Sequence, residues 1–282
     1  MSVSLDRIRR RSSRDRGLLV RSRVRRASLS ALAVSLLAPI GAVGWATAAS
    51  AAPGNLAASP QPITCSGFTP FLIQGGQLSI GVVSGSILAW GQIGPKHFAM
   101  NAMGYDQTSK FLYAMAVDPS KSNFGDLIQL DAVGRARDLG KVQGLPTRAW
   151  RAGDVDQSGG FYYVSDGGHD LWKITLSTDK ATHVSMPSSL KIGGDFVIGE
   201  GSLFTRGGNH AFDSVSLTTK AIEKLPVTGK LATDPIDAVW YGGPFALVLD
   251  SKSWETWTIG SSAPHLVGTI HSGTPVDGAT CY

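Results

Sequence analysis

Residues 161–177 read FYYVSDGGHDLWKITLS. They are two short β-branched and aromatic runs on either side of Asp166-Gly167-Gly168-His169-Asp170. Neither run shows the three-to-four spacing of an amphipathic helix, both have strand length, and the Gly- and Asp-rich interval supplies a turn. The same pattern recurs along the chain. Its anchors are Phe71 (FLIQGG), Phe111 (FLYAMAVD), Phe161, Ser202 (SLFTRGG) and Phe245 (FALVLDS), spaced by 40, 50, 41 and 43 residues. Each anchor strand is followed by a third-strand run (QLSIGVVS, DLIQLDAV, DLWKITLS, HAFDSVSLT, ETWTIG). A fourth follows in turn (SILAWGQI, ARDLGKV, ATHVSMP, AIEKLPV, PHLVGTI). Before four of the five anchors lies a run of small residues: NAMGYD, AGDVDQ, GGDFVI, DAVWYG. Units of four strands, repeated five times at about 42 residues, predict an all-β fold: a five-bladed β-propeller of four-stranded blades.

The first unit lacks its small-residue strand and the last is followed by a spare one, VDGATCY, from Val276 to Tyr282. A ring must join its ends, so the spare strand is expected to complete the first blade as its innermost strand. The cysteines fit that register. Cys65 lies six residues before Phe71, and Cys281 lies about six before the position, near 287, where a sixth anchor would fall. An even cysteine count in an exported chain favours a disulfide, here Cys65–Cys281.

Export is read from the N-terminus. An arginine-rich stretch, Arg7 to Arg26, precedes an apolar run from Leu29 to Ala51 that ends in Ala49-Ser50-Ala51. Charged head, apolar middle and small-residue tail are the parts of a secretory signal, with cleavage expected after Ala51 or, second, Ala48. The general secretory route is favoured over twin-arginine export, because Ser28 stands where the latter signal prefers a bulky apolar residue. The run is long enough to span a bilayer, but Pro39, Gly41, Gly44 and the tail argue against a retained anchor. The domains expected are a signal at 1–51, a flexible linker at 52–64 and the propeller at 65–282. The chain carries 26 basic and 21 acidic residues, a formal +5, yet residues 1–51 hold ten of the basic and two of the acidic groups. The remainder has sixteen against nineteen, a net −3. Without a basic stripe the domain attracts phosphates weakly, which excludes nucleic acid and, once the signal is gone, membranes as expected partners.

CSGFTPFLIQGGQL, NAMGYDQTSKFLYAM, GLPTRAWRAGDVDQSGGFYYVSD and the closing DGATC resemble a family of secreted bacterial β-propeller domains of unknown function, akin to quinoprotein- and lactonase-like propellers. The resemblance covers residues 65–282. It implies an exported propeller and no particular activity.

Few residues point to chemistry. Asp154, Asp156 and Ser158 open a D-x-D-x-S-G run of the kind that begins a calcium loop, but Ser165 stands where the bidentate Glu belongs, so a turn is the favoured reading. No other cofactor is expected. Loops between blades, and those joining second to third strands, should share one face, gathering Trp150, Arg151, His169, Asp170, Arg206 and His210 as candidate ligand-binding residues. Trp150, between Arg148 and Arg151, is expected to be exposed. His169, His210 and His271 lack metal-ligand spacing. No G-x-S-x-G, H-E-x-x-H or P-loop motif occurs, and Ser188-x-x-Lys191 falls between blades. The function expected is therefore a secreted, monomeric, non-enzymatic binding module for an extracellular ligand: a glycan, a cell-wall fragment or a protein. A secreted hydrolase or lyase using His and Asp on the loop face is the alternative.

Overall fold

The computed structural model describes residues 59–84, 87–206, 211–226, 236–241, 245–250, 255–260, 265–269 and 276–281. The export signal and its cleavage site lie outside them, as does His210. The chain from Leu56 to Tyr282 forms one compact unit, and its described residues contain strands and turns but no helix.

In chain order the strands are β1 (Thr69–Gln74), β2 (Gln77–Ser84), β3 (Ile87–Ile93), β4 (Met100–Asp106), β5 (Phe111–Ala116), β6 (Leu127–Leu130) and β7 (Ala136–Gly140). Next come β8 (Ala152–Val155), β9 (Phe161–Ser165), β10 (Leu171–Thr175), β11 (Lys180–Val184), β12 (Phe196–Gly199), β13 (Ser202–Arg206), β14 (Ala211–Ser216) and β15 (Ile222–Pro226). The last are β16 (Ile236–Tyr241), β17 (Phe245–Asp250), β18 (Glu255–Gly260), β19 (His265–Thr269) and β20 (Val276–Cys281). Among the described residues they form five antiparallel four-stranded sheets: β20-β1-β2-β3, then β4 to β7, β8 to β11, β12 to β15 and β16 to β19. The fold is an all-β propeller of four-stranded blades, and the C-terminal strand joins the sheet of the N-terminal one, as its sequence register implied.

Burial grades from the first strand of each blade to the last. β8 and β12 are buried at every residue, and so is β20, whereas β7 and β11 carry half-buried and exposed side chains throughout. That gradient explains why the first strands are small and apolar while ARDLG and KATHV are charged. The first strands neighbour one another in the order β20, β4, β8, β12, β16 and β20 again, and glycine is required where they meet. A Cβ on Gly153 would fall 2.6 Å from the Ala102 carbonyl oxygen, and one on Gly278 would fall 2.5 Å from the Trp240 indole nitrogen.

The seam follows the predicted register. Phe71 stands opposite Ala279, and Thr69 opposite Cys281. Cys65 and Cys281 form a disulfide with their Cα atoms 6.0 Å apart, within the usual range for such links.

Residues 59–64 depart from the flexible linker read from their composition. Ile63 is buried; its N–H donates to the Lys110 carbonyl at 2.7 Å, and its own carbonyl accepts from the Tyr105 hydroxyl at 3.1 Å. The Gln61 N–H donates to Asp131 Oδ2 at 3.1 Å, and Arg135 reaches the Ser59 carbonyl at 2.9 Å. The segment is a strap across the second blade. One buried isoleucine and a carboxylate that accepts a backbone N–H outweigh its polar character.

Candidate functional site

In a propeller, the loops after the second strand of a blade and before the first strand of the next emerge at one end. In the third blade these loops are 166–170 and 141–151, and they are joined side by side. Arg151 N–H donates to the Ser165 carbonyl at 2.9 Å. Arg148 Nη1 meets Asp166 Oδ2 at 2.5 Å and Asp170 Oδ2 at 3.1 Å. His183 Nε2, on β11, lies 3.4 Å from the other oxygen of Asp170, and its ring packs edge-on against Trp172 with centroids 5.2 Å apart. The side chains of Arg148, Asp166 and Asp170 keep 34%, 31% and 45% of their surface exposed, so this cluster can be reached from solvent. The hydrogen bond to Asp166, with a further one to Asp170, pushes the Arg148 pKa up despite partial burial.

Of the six ligand candidates, Arg151, His169 and Asp170 stand on these joined loops, and Arg206 ends β13 at the same end of its blade. His169 Nδ1 pairs with the Leu190 carbonyl oxygen, tying the 166–170 loop to the segment that leads into β12. His210 lies outside the described residues. Trp150 departs from expectation: it is buried, not exposed. Its indole sits in an apolar cluster with Ala102, Tyr113, Met115 and Tyr162 between the second and third blades. The Arg148 guanidinium covers its ring, 5.3 Å from the centroid. An aromatic plug between blades buries more apolar area than a rim position would, and the flanking arginines misrepresented it as surface.

The D-x-D-x-S-G run lies at the other end of the blade. Asp156 Oδ1 accepts from the Ser158 N–H and the Ser158 hydroxyl, both at 2.8 Å, which is an Asx turn between β8 and β9. Asp154 is engaged separately: its Oδ1 accepts the Val155 N–H at 2.9 Å and its Oδ2 the Ile198 N–H of the next blade at 2.8 Å. Among the described residues no group of three or more His, Cys, Asp or Glu side chains is placed to hold a metal ion.

Reasoning from the sequence missed a second constellation, on the innermost strands and, for Asp195, just before one. Asp195 repeats the bridge made by Asp154, taking the Phe196 N–H at 2.7 Å and, across to the next blade, the Val239 N–H at 2.9 Å. Asp277 takes the Gly278 N–H at 2.7 Å and the Met103 N–H of the second blade at 2.9 Å. Each carboxyl group thus joins its own strand to the next blade through two backbone donors. The signal was present as an Asx residue recurring near the repeat period, at Asn101, Asp154, Asp195, Asp237 and Asp277.

Comparison with known proteins agrees on architecture. A family model described as a repeat of unknown function (DUF6923) matches residues 71–248. No curated protein matches the chain in sequence. Among solved structures, a chain of the nidogen/laminin complex superposes with a TM-score of 0.52 at 10% identity, covering 76% of this chain and 98% of that chain. Virginiamycin B lyase from Staphylococcus aureus superposes at 0.41, also at 10% identity, covering 71% and 64%. The first likeness concerns fold alone, and the second is too loose to carry any argument.

Proposed function

Because the chain belongs to the DUF6923 repeat family, whose description states no activity, we propose from its own geometry that it is a secreted, non-enzymatic binding module. In this reading the five sheets close into one five-bladed ring that works as a monomer. The ring presents the joined loops around Arg148, Asp166 and Asp170 to an extracellular glycan, cell-wall fragment or protein. The observation that carries the reading is the cluster itself: three charged side chains, solvent-reachable yet fixed by mutual hydrogen bonds, on short loops held by a rigid sheet. Preorganised polar groups of this kind lower the ordering cost of binding. The Cys65–Cys281 link supports an oxidising compartment. A propeller found in a complex of nidogen with laminin is an example of the architecture beside a protein partner.

The test is a screen of the exported protein against glycan arrays, cell-wall fragments and secreted proteins, repeated with Arg148→Ala and Asp170→Ala. Both variants should weaken whatever is captured by at least about tenfold, the effect of losing a charge-assisted contact, while Asp179→Ala at the opposite end leaves it unchanged. Capture that survives both loop variants and fails with Asp179→Ala would place the binding face at the wrong end. Catalytic turnover of a captured ligand would replace the module reading with the hydrolase or lyase.

A further inference from the structure

The Arg148 guanidinium is held from two directions. Its Nη1 donates to Asp166 Oδ2 at 2.5 Å and to Asp170 Oδ2 at 3.1 Å, and the group lies over the ring of the buried Trp150. An arginine side chain has N–H donors on three nitrogens. Those on Nε and Nη2 meet no protein acceptor among the described residues, and the side chain is open to solvent. The acceptors beside it are also underused. Asp166 Oδ1 receives no hydrogen bond among the described residues. Asp170 Oδ1 has only His183 Nε2, at 3.4 Å, which is long for a hydrogen bond. Fixed donors and fixed acceptors thus lie side by side, with capacity left on both.

An aromatic surface adjoins them. His183 stands opposite Trp172 in the register of β10 and β11, and the two rings meet edge-on. Trp172 packs against the apolar cluster that contains Trp150, which fixes it from beneath, while His183 is exposed. The charges nearly cancel: Arg148 and Arg151 offset Asp166 and Asp170. An ammonium ligand would serve the carboxylates but bring no acceptor to Arg148. A carboxylate or phosphate would pair with Arg148 but face both aspartates. A hydroxyl group donates and accepts at once, so two neighbouring hydroxyls can answer both sides of the cluster.

We propose that the ligand of these loops is a neutral carbohydrate, gripped by two adjacent ring hydroxyls between Arg148 and the carboxylates of Asp166 and Asp170. The hydroxyl oxygens accept from Arg148 Nε and Nη2, and their hydrogens go to Asp166 Oδ1 and Asp170 Oδ1. The C–H face of the sugar ring rests on the aromatic surface of His183 and Trp172, whose π faces carry the negative end of the ring quadrupole and attract C–H hydrogens. Because the guanidinium and both carboxylates already hold one another in place, the sugar meets a site that needs little ordering. The inference rests on the binding-module reading and names the ligand class of that same site.

The experiment presents the exported protein with arrayed neutral oligosaccharides of glucose, mannose and galactose, with the same oligosaccharides O-methylated, with polygalacturonate and with oligolysine. Calorimetry then measures whatever is retained. At least one neutral oligosaccharide should bind. O-methylation removes the hydroxyl donors and should weaken it by about tenfold or more, as should Arg148→Lys, which keeps the charge but loses the fork, and Asp166→Asn. His183→Ala, at an exposed position, should weaken binding several-fold, and it decides together with the methylated sugars if Arg148→Lys fails to fold. Retention of no neutral oligosaccharide, or binding that survives both O-methylation and His183→Ala, would overturn the proposal. The failures separate. Retention of polygalacturonate, oligolysine or a secreted protein alone, lost in Arg148→Ala, rejects the carbohydrate and keeps the binding module. Binding of every kind that ignores Arg148→Ala rejects both.

Discussion

The indole Nε1 of Trp240 donates to the carbonyl oxygen of Phe71 at 2.6 Å, joining residues 169 positions apart across the seam between the last blade and the first. Trp240 also packs its ring at a tilt against Trp90, with centroids 5.5 Å apart and planes at 41°, and lies over Gly278. Trp240→Phe should cost about 1–3 kcal/mol, because a buried carbonyl loses its donor and the cavity is incompletely filled. Gly278→Ala should cost at least as much, since its methyl group would fall 2.5 Å from the indole nitrogen. Urea denaturation of both variants measures this, and no change in midpoint for either would contradict the packing described.

The disulfide closes a loop with a sequence separation of 216. In the chain-entropy model such a link stabilises by at most about 5 kcal/mol, and real ones often deliver less. Cys281→Ser should lower the melting temperature while leaving the β spectrum in place. Deleting residues 277–282 should be worse, because β20 also pairs with β1 over its whole length. Calorimetry of the two variants beside the wild type orders them.

The repeat anchors and the spare terminal strand were legible because strand length, turn composition and period are local properties. Trp150 and the strap were not. The burial of Trp150 depends on a partner blade some forty residues away in sequence, and Ile63 is a single apolar residue in a polar stretch. The buried acids lay between these cases. Asp154, Asp195 and Asp277 recur with the repeat, but aspartate beside glycine reads as a turn until each is seen to accept a backbone N–H from the next blade.

The strap should respond to acid. Burial pushes the Asp131 carboxyl up, but the N–H groups of Arg135, Gln61 and Val133, with the Arg135 guanidinium, outweigh it and hold the pKa below its ordinary value. The contribution is therefore present above the unfolded value near 3.9 and is lost as pH falls through the lower folded value. Pepsin should therefore cut near residues 59–64 faster as pH drops below about 4. Asp131→Asn should be cut readily over the same range; equal resistance in both proteins would contradict the anchor.

Export makes its own prediction. Protein recovered from the medium should begin at Ala52, as the Ala49-Ser50-Ala51 tail implies. Edman sequencing reads the first residues directly. A membrane-bound product that retains the arginine-rich N-terminus would contradict cleavage.

The account rests above all on the pairing of the last strand with the first. Amide hydrogen exchange, followed by mass spectrometry of the oxidised protein, reports on that pairing directly. Peptides covering Val276–Cys281 should be protected as strongly as those covering Thr69–Gln74, because the two strands share one ladder and β20 is buried throughout. Exchange of the 276–281 amides at unfolded-chain rates, while 69–74 stay protected, would show that the terminal strand does not close the first blade.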